Sequence, residues 1–315
     1  MLLNFLFASI KAGVPLLFGT SGEIVTEKSG SLNLGVEGMM CMGAFMGFFV
    51  AYKTDNLILA ILAAFLMGML GALIYAILTI TFMANQNVTG LTLTIFGTGL
   101  SNFFGNRMVA GTDVTPKLSD NMIDVLAEKP LPVLGDIPVV GELLFSHNIL
   151  VYFSVLVAVL LGLYIKKTKP GLNMRAVGEN PAAADAAGIN VTRTKYIHVL
   201  LGGGICGIGG AYISIINGMG VWNNNSVNGI GWISVALVIF AAWSPLKAIL
   251  GSFVFGAFSV IMLYAPKEII AIPTAFYKML PFLLTIVVLI FTSMKKSKES
   301  SQPASCGLSY FREER

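Results

Sequence analysis

The chain has 315 residues, 56% of them hydrophobic and 11% charged, with a formal net charge of +4. Soluble domains carry about 25% charged residues, so a soluble globular protein is excluded. The long apolar runs do not alternate with period two, which excludes a transmembrane β-barrel and predicts an all-α, polytopic membrane protein. Nine apolar segments follow one another at about 2–19, 35–51, 57–82, 88–106, 148–165, 197–217, 229–242, 246–264 and 274–292. They predict about eight to ten transmembrane helices, some broken or re-entrant, in a single membrane domain over 1–292 with a tail at 293–315.

The N-terminal MLLNFLFASIKAG lacks a basic leader and a small-residue cleavage site, so it is expected to stay as a helix. Lys11 has no obvious acidic partner there and is free to snorkel. The stretch from Ser21 to Met40 then carries Glu23, Glu27, Lys28, Asn33 and Glu37 into an apolar segment. An ionised carboxylate at membrane depth costs several kcal/mol unless paired or wetted. Two readings stand: Glu37 lies near the interface and pairs with Lys28, or a discontinuous helix breaks at Gly35 and Gly38 and lines a polar path. Glu37 is the one acid expected at depth. A second interrupted segment, Asn85 to Asn106, is punctuated by threonines and glycines. Small-residue packing accounts for it; the alternative is a water-lined path, with Asn87, Thr94 and Asn102 as its candidates.

The 107–147 segment holds Arg107, Lys117 and Lys129 against Asp113, Asp120, Asp124, Glu128, Asp136 and Glu142. Its four prolines, Pro116, Pro130, Pro132 and Pro138, predict an irregular lobe. The 166–195 loop is basic: Lys166, Lys167, Lys169, Arg175, Arg193 and Lys195 face Glu179 and Asp185. Inside it a short helix has its own punctuation, with Asn180 as N-cap, Pro181 at the first position and Gly188 as the stop. So short a helix needs something to lie against. It is either a connector resting on lipid headgroups or a docking helix for a partner.

LGGGICGIGGAY, from 201 to 212, predicts close helix–helix approach and not a nucleotide loop, because no strand precedes it. Trp222, in the loop 218–228, suits a membrane interface, and the asparagines there are loop residues or contacts for an external partner. The tail from Ser297 reads as polar and flexible up to Gly307, with an end that is solvated or docks on a partner. The basic loop, Lys247 and the Lys295, Lys296, Lys298 cluster fall on one side, which the positive-inside rule makes cytoplasmic, with the 107–147 lobe outside. Strict alternation puts the N-terminus outside; a re-entrant segment among the first four would put it inside.

No Gly-Lys pair occurs, so there is no P-loop, and neither HExxH nor GxSxG is present. His147 and His198 are placed at opposite membrane boundaries. Cys41, Cys206 and Cys306 are scattered, so neither a metal site nor a disulfide framework is expected. An ion-coupled carrier would need paired intramembrane ionisable groups, and a membrane enzyme a nucleophile or metal constellation.

The stretches GEIVTEKSGSLNLGVEGMM, GLNMRAVGENPAAADAAGI, GIGWISVALVIFAAWSPLKAILGSFVFG and GLSYFREER occur in this order over most of the chain. In them the chain resembles the permeases of ABC importers. It is similar to the ribose and branched-chain amino-acid branch, and most closely to the smaller permease of nucleoside or simple-sugar uptake systems. The resemblance implies a type II importer-like fold in the cell (inner) membrane of a bacterial-type cell. It implies alternating access driven by a separate ABC ATPase, with ATP used by that subunit and no cofactor or metal in this chain. The implied partners are that ATPase, a second homologous permease, an extracytoplasmic substrate-binding protein and the bilayer, with no nucleic acid. Arg175, Gly178, Glu179, Asn180, Pro181, Ala184, Ala187 and Gly188 match the family's segment for coupling to the ATPase. Asn33, Gly35, Glu37 and Gly38 match a helix break close to the translocation pathway. Nucleosides rank first as substrate, purine nucleosides leading, with pentoses next.

Overall fold

The computed structural model describes residues 1–111, 115–130, 135, 137–264, 274–294 and 301–312. The helices among them are α1 (Leu2–Lys28), α2 (Val36–Thr54), α3 (Leu57–Ala76), α4 (Gln86–Ala110), α5 (Asp120–Val125), α6 (Val140–Phe145), α7 (Ile149–Lys167), α8 (Lys169–Glu179), α9 (Pro181–Ala186), α10 (Val191–Tyr212), α11 (Ile230–Phe240), α12 (Pro245–Tyr264) and α13 (Thr274–Met294). Single π-turns extend α3 over Ile77–Thr81 and α10 over Ile213–Asn217. There is no strand among the described residues; one isolated bridge joins Lys117 to Val221.

The nine apolar segments become α1–α4, α7 and α10–α13. Among the described residues four helices are long and apolar enough to cross a bilayer by themselves: Leu2–Lys28, Leu57–Thr81, Ile149–Lys167 and Val191–Asn217. The 11 residues of α11 rise only about 16 Å, half of a hydrocarbon core of about 30 Å. The outward faces of α3, α4, α7 and α13 expose Leu66, Ile95, Leu160 and Ile286, the inside-out dressing of a chain solvated by lipid. This is an all-α, multi-pass membrane protein.

At the centre stands α10. Its glycines let neighbouring backbones touch: a methyl on Gly207 would strike the Ala64 carbonyl of α3, and one on Gly43 of α2 would strike Gly207. Close approach of small residues is how helices associate where lipid removes the hydrophobic drive.

One end of the bundle carries the 107–147 lobe, the other the basic segments. α1 starts at the lobe end, where Phe7 stacks on His147 with ring centroids 4.1 Å apart. Lys11 is not unpartnered as expected; it pairs with Glu128 of the lobe. The N-terminus thus shares the lobe end, the outcome of strict alternation. Trp222, in the loop before α11, turns inward. It is buried against Phe45 and Phe48 of α2 and roofs Gly105 of α4. Asp113, Asp136, Pro132 and the Lys295, Lys296, Lys298 cluster lie outside the described residues.

Candidate functional site

Two places concentrate polar chemistry: the break between α1 and α2, and the α8–α9 segment at the basic end. At the break, α1 ends at Lys28 and the chain turns back along it. The Asn33 side-chain oxygen accepts from the Gly35 N–H at 2.9 Å, and the Asn33 N–H donates to Glu23 at 3.0 Å. The turn is therefore held below the end of α1, beside buried Glu23. Thr94 of α4 donates to the Leu34 carbonyl at 3.0 Å. A methyl on Gly38 would collide with Leu93, so α2 begins against α4, about 12 Å along it from Gln86.

Glu37 sits in the first turn of α2, buried. It does not pair with Lys28. Its two oxygens accept the N–H groups of Gly229 and Gly231 at 2.7 and 2.6 Å. The carboxylate thereby caps the start of α11, where the free N–H groups and the positive dipole end favour negative charge. Beyond this cap, Ser226, Asn228, Ser259 and Tyr277 line a cavity of about 420 Å³ with Phe258 and Phe282. Asn33, Gly35, Glu37, Gly38 and Thr94 are thus brought together. Asn102 lies further along α4, donating to Asn225 at 2.6 Å, and Asn87 stands exposed at the start of α4, away from the break.

The expectation of one deep acid is corrected. Glu23 and Glu27, one turn apart on α1, are both buried, as is Lys195 of α10. Trp243 donates to Glu27 at 2.5 Å. Sequence reading placed these acids in a polar stretch next to a basic residue; nothing in one strand of text shows α10 and the 242–247 turn closing over them.

At the basic end, α9 forms as its punctuation predicts. Asn180 accepts from the Ala183 N–H at 3.0 Å, Pro181 opens the helix, and Gly188 turns the chain out with φ +83°, a conformation that favours glycine. Ala184 points inward onto Val177, Val191 and Tyr310, while Ala182, Ala183, Ala186, Ala187 and Gly188 are exposed. The residues from Arg175 to Gly188 therefore divide. Gly178 is buried against the Lys28 carbonyl, and Arg175 and Glu179 line a separate cavity with Lys28, Lys166 and Lys247.

A family model described as the permease component of branched-chain amino acid transport systems matches residues 4–289. The chain belongs to this family. It is a membrane permease component of an ABC importer. The permease is 35% identical to a putative glucose ABC transporter permease, TsgC13, of Haloferax volcanii, over 82% of this chain and 77% of that one. It is 33% identical to the nucleoside ABC transporter permease NupC of Lactococcus lactis subsp. cremoris, over 87% of both chains. It is 32% identical to the guanosine ABC transporter permease NupQ of Bacillus subtilis, over 90% of this chain and 89% of the other. No solved structure matches.

The permease's tail departs from expectation. Residues 301–312 lie on α8 and α9, with Pro303 and Ser305 buried there and Leu308, Phe311 and Arg312 left exposed. Ser305 donates its N–H to the Gly178 carbonyl at 3.0 Å, and Ala304 donates to Glu179 at 3.3 Å. Tyr310 donates to Asp185 at 2.8 Å, and Arg312 pairs with the same carboxylate at 3.2 Å. The Leu308 carbonyl accepts from Gln86 at 3.4 Å, while Gln86 itself accepts from the Leu32 N–H at 2.7 Å. The tail thus joins α9 to the first residues of the break.

Proposed function

We propose that the permease couples a separate ABC ATPase to the uptake of nucleosides or related sugar-containing solutes. The observation that carries this is α9: a capped, six-residue helix that offers a row of small exposed side chains at the basic end. Small residues let a helix sit deep in a groove of a partner. The cytoplasmic side is assigned to this end by its lysines and arginines, in the membrane of a bacterial-type cell. ATP is used by the ATPase, with no cofactor in the permease.

A second homologous permease completes the pathway, and an extracytoplasmic binding protein delivers solute at the lobe end. When the ATPase closes, α9 moves with it. Through α8, the tail and Gln86 the shift reaches the 29–35 turn, and there the Glu37 cap on α11 opens or closes the path. The cavity beside that cap offers hydroxyl, amide and aromatic groups without a charge, which suits an uncharged, sugar-bearing ring system. The relatives' names divide between glucose and nucleoside or guanosine; the uncharged aromatic cavity is the ground for ranking purine nucleosides ahead of hexoses.

Two measurements test this. Ala183→Arg with Ala187→Arg puts bulk on the exposed face of α9; ATPase recovered with detergent-extracted permease should fall to background. Labelled guanosine should enter cells carrying the complete transporter, and vanadate should stop it. Recovery of ATPase unchanged by the double substitution would sink the docking role of α9; vanadate-resistant uptake would favour an ion-coupled carrier built on Glu23 and Glu27.

A further inference from the structure

A dry groove runs down the outside of the bundle between α3, α7 and α10. Its volume is about 740 Å³, and of its lining only Tyr164 carries a polar group. It reaches along α7 from Ile149 to Tyr164, a rise of about 22 Å, the scale of one extended acyl chain. Tyr164 also lines a second cavity, of about 420 Å³, at the basic end of the same helices. There Lys169 opens α8 and Arg193 sits in the first turn of α10, with Asn173 also in the lining and no carboxylate among it. Among the described residues neither cation has a partner in an ion pair. The Tyr164 hydroxyl is held by His198 at 3.0 Å, which fixes the boundary between the dry groove and the polar mouth.

We infer that this composite site binds one anionic phospholipid, its acyl chain in the α3–α7–α10 groove and its phosphate between Lys169 and Arg193. Charge selects the occupant. An apolar helix of another subunit would fill the groove but make no use of the two exposed cations at its mouth; a free phosphate would meet the cations but leave the groove empty. A phospholipid does both. Basic pockets between transmembrane helices are where lipid headgroups are recognised, each lysine or arginine near the surface adding about a fivefold preference for anionic lipid. The inference does not depend on the solute carried or on α9 docking.

The test uses the full-length permease with its transporter partners in detergent, titrated with phosphatidylglycerol or phosphatidylcholine and read by native mass spectrometry. Wild type should retain phosphatidylglycerol in preference. Lys169→Gln with Arg193→Gln should cut that preference about 25-fold, while Lys53→Gln, at the lobe end and outside the site, should leave it unchanged. Leu201→Trp, which fills the groove, should lower retention of both lipids. A photoreactive residue at Val157 needs no loss of charge and should yield a lipid adduct. Equal retention by the Lys169, Arg193 variant, displacement by inorganic phosphate, an unaffected Leu201→Trp, or a polypeptide adduct at Val157 would each overturn the inference.

Discussion

The Tyr310 hydroxyl donates to the Asp185 carboxylate at 2.8 Å, across 125 residues of chain. A turn of the tail therefore grips the short helix proposed to meet the ATPase. Asp185 faces inward from α9, and Tyr310 packs its ring against Val177, Ala184 and Val191. A six-residue helix is too short to hold itself, so this contact supplies part of what it lies against.

Tyr310→Phe removes the hydroxyl and should cost about 1 kcal/mol of tail docking. Cys306 reports the result. Burial pushes its thiol well above the usual range, so it should react slowly with maleimide at neutral pH. Labelling should quicken in Tyr310→Phe and more in Asp185→Asn, which also weakens the Arg312 pair. Equal labelling rates in all three proteins would count against the clasp.

Glu37→Ala would leave the Gly229 and Gly231 N–H groups without their acceptor. The expected loss is about 2–4 kcal/mol of stability, read as a lower melting temperature in detergent. Glu37→Gln keeps one oxygen and should recover part of it. If alanine melts like wild type, the carboxylate is not the cap of α11.

Gly43→Ala and Gly99→Ala form a matched pair. The first drives a methyl into Gly207 and should destabilise by about 1–3 kcal/mol. The second meets nothing within 4 Å in the middle of α4 and should stabilise by up to about 1 kcal/mol through helix propensity. Opposite shifts in thermal unfolding are the expected outcome, and shifts of the same sign would contradict the packing described.

Burial, the largest influence, holds the His147 imidazole below its usual value; the Leu143 carbonyl and Glu128 act the other way. His147 thus stays neutral in the folded protein over a range where the unfolded chain already protonates. Because the unfolded state then binds more protons, stability should fall as pH drops below about 6.5 and be flat above it. His147→Gln, neutral throughout, should flatten that part of the profile between about pH 7 and about pH 5. An unchanged slope would assign the acid sensitivity elsewhere.

Much of the architecture could be read in one dimension. The nine apolar runs became nine helices because helix formation in lipid is forced locally: every backbone group must be satisfied within its own segment. The capping of α9 was legible for a similar reason, since Asn180, Pro181 and Gly188 act on their immediate neighbours. The glycines at 202–210 announced close approach, though not which helices would approach.

What the residues alone decided, then, is what short-range physics decides: helix identity, membrane residence, the capped helix, and the basic end. Only the tertiary structure decided the partners. It buried Glu23 and Glu27 under α10 and Trp243, gave Glu37 to α11 instead of Lys28, gave Glu128 to Lys11, and laid the tail on α9. Each of these contacts joins residues more than a hundred positions apart or depends on a helix arriving from elsewhere. Polar pairing at such range is set by which helices pack side by side, a choice that small residues permit but that no local pattern records.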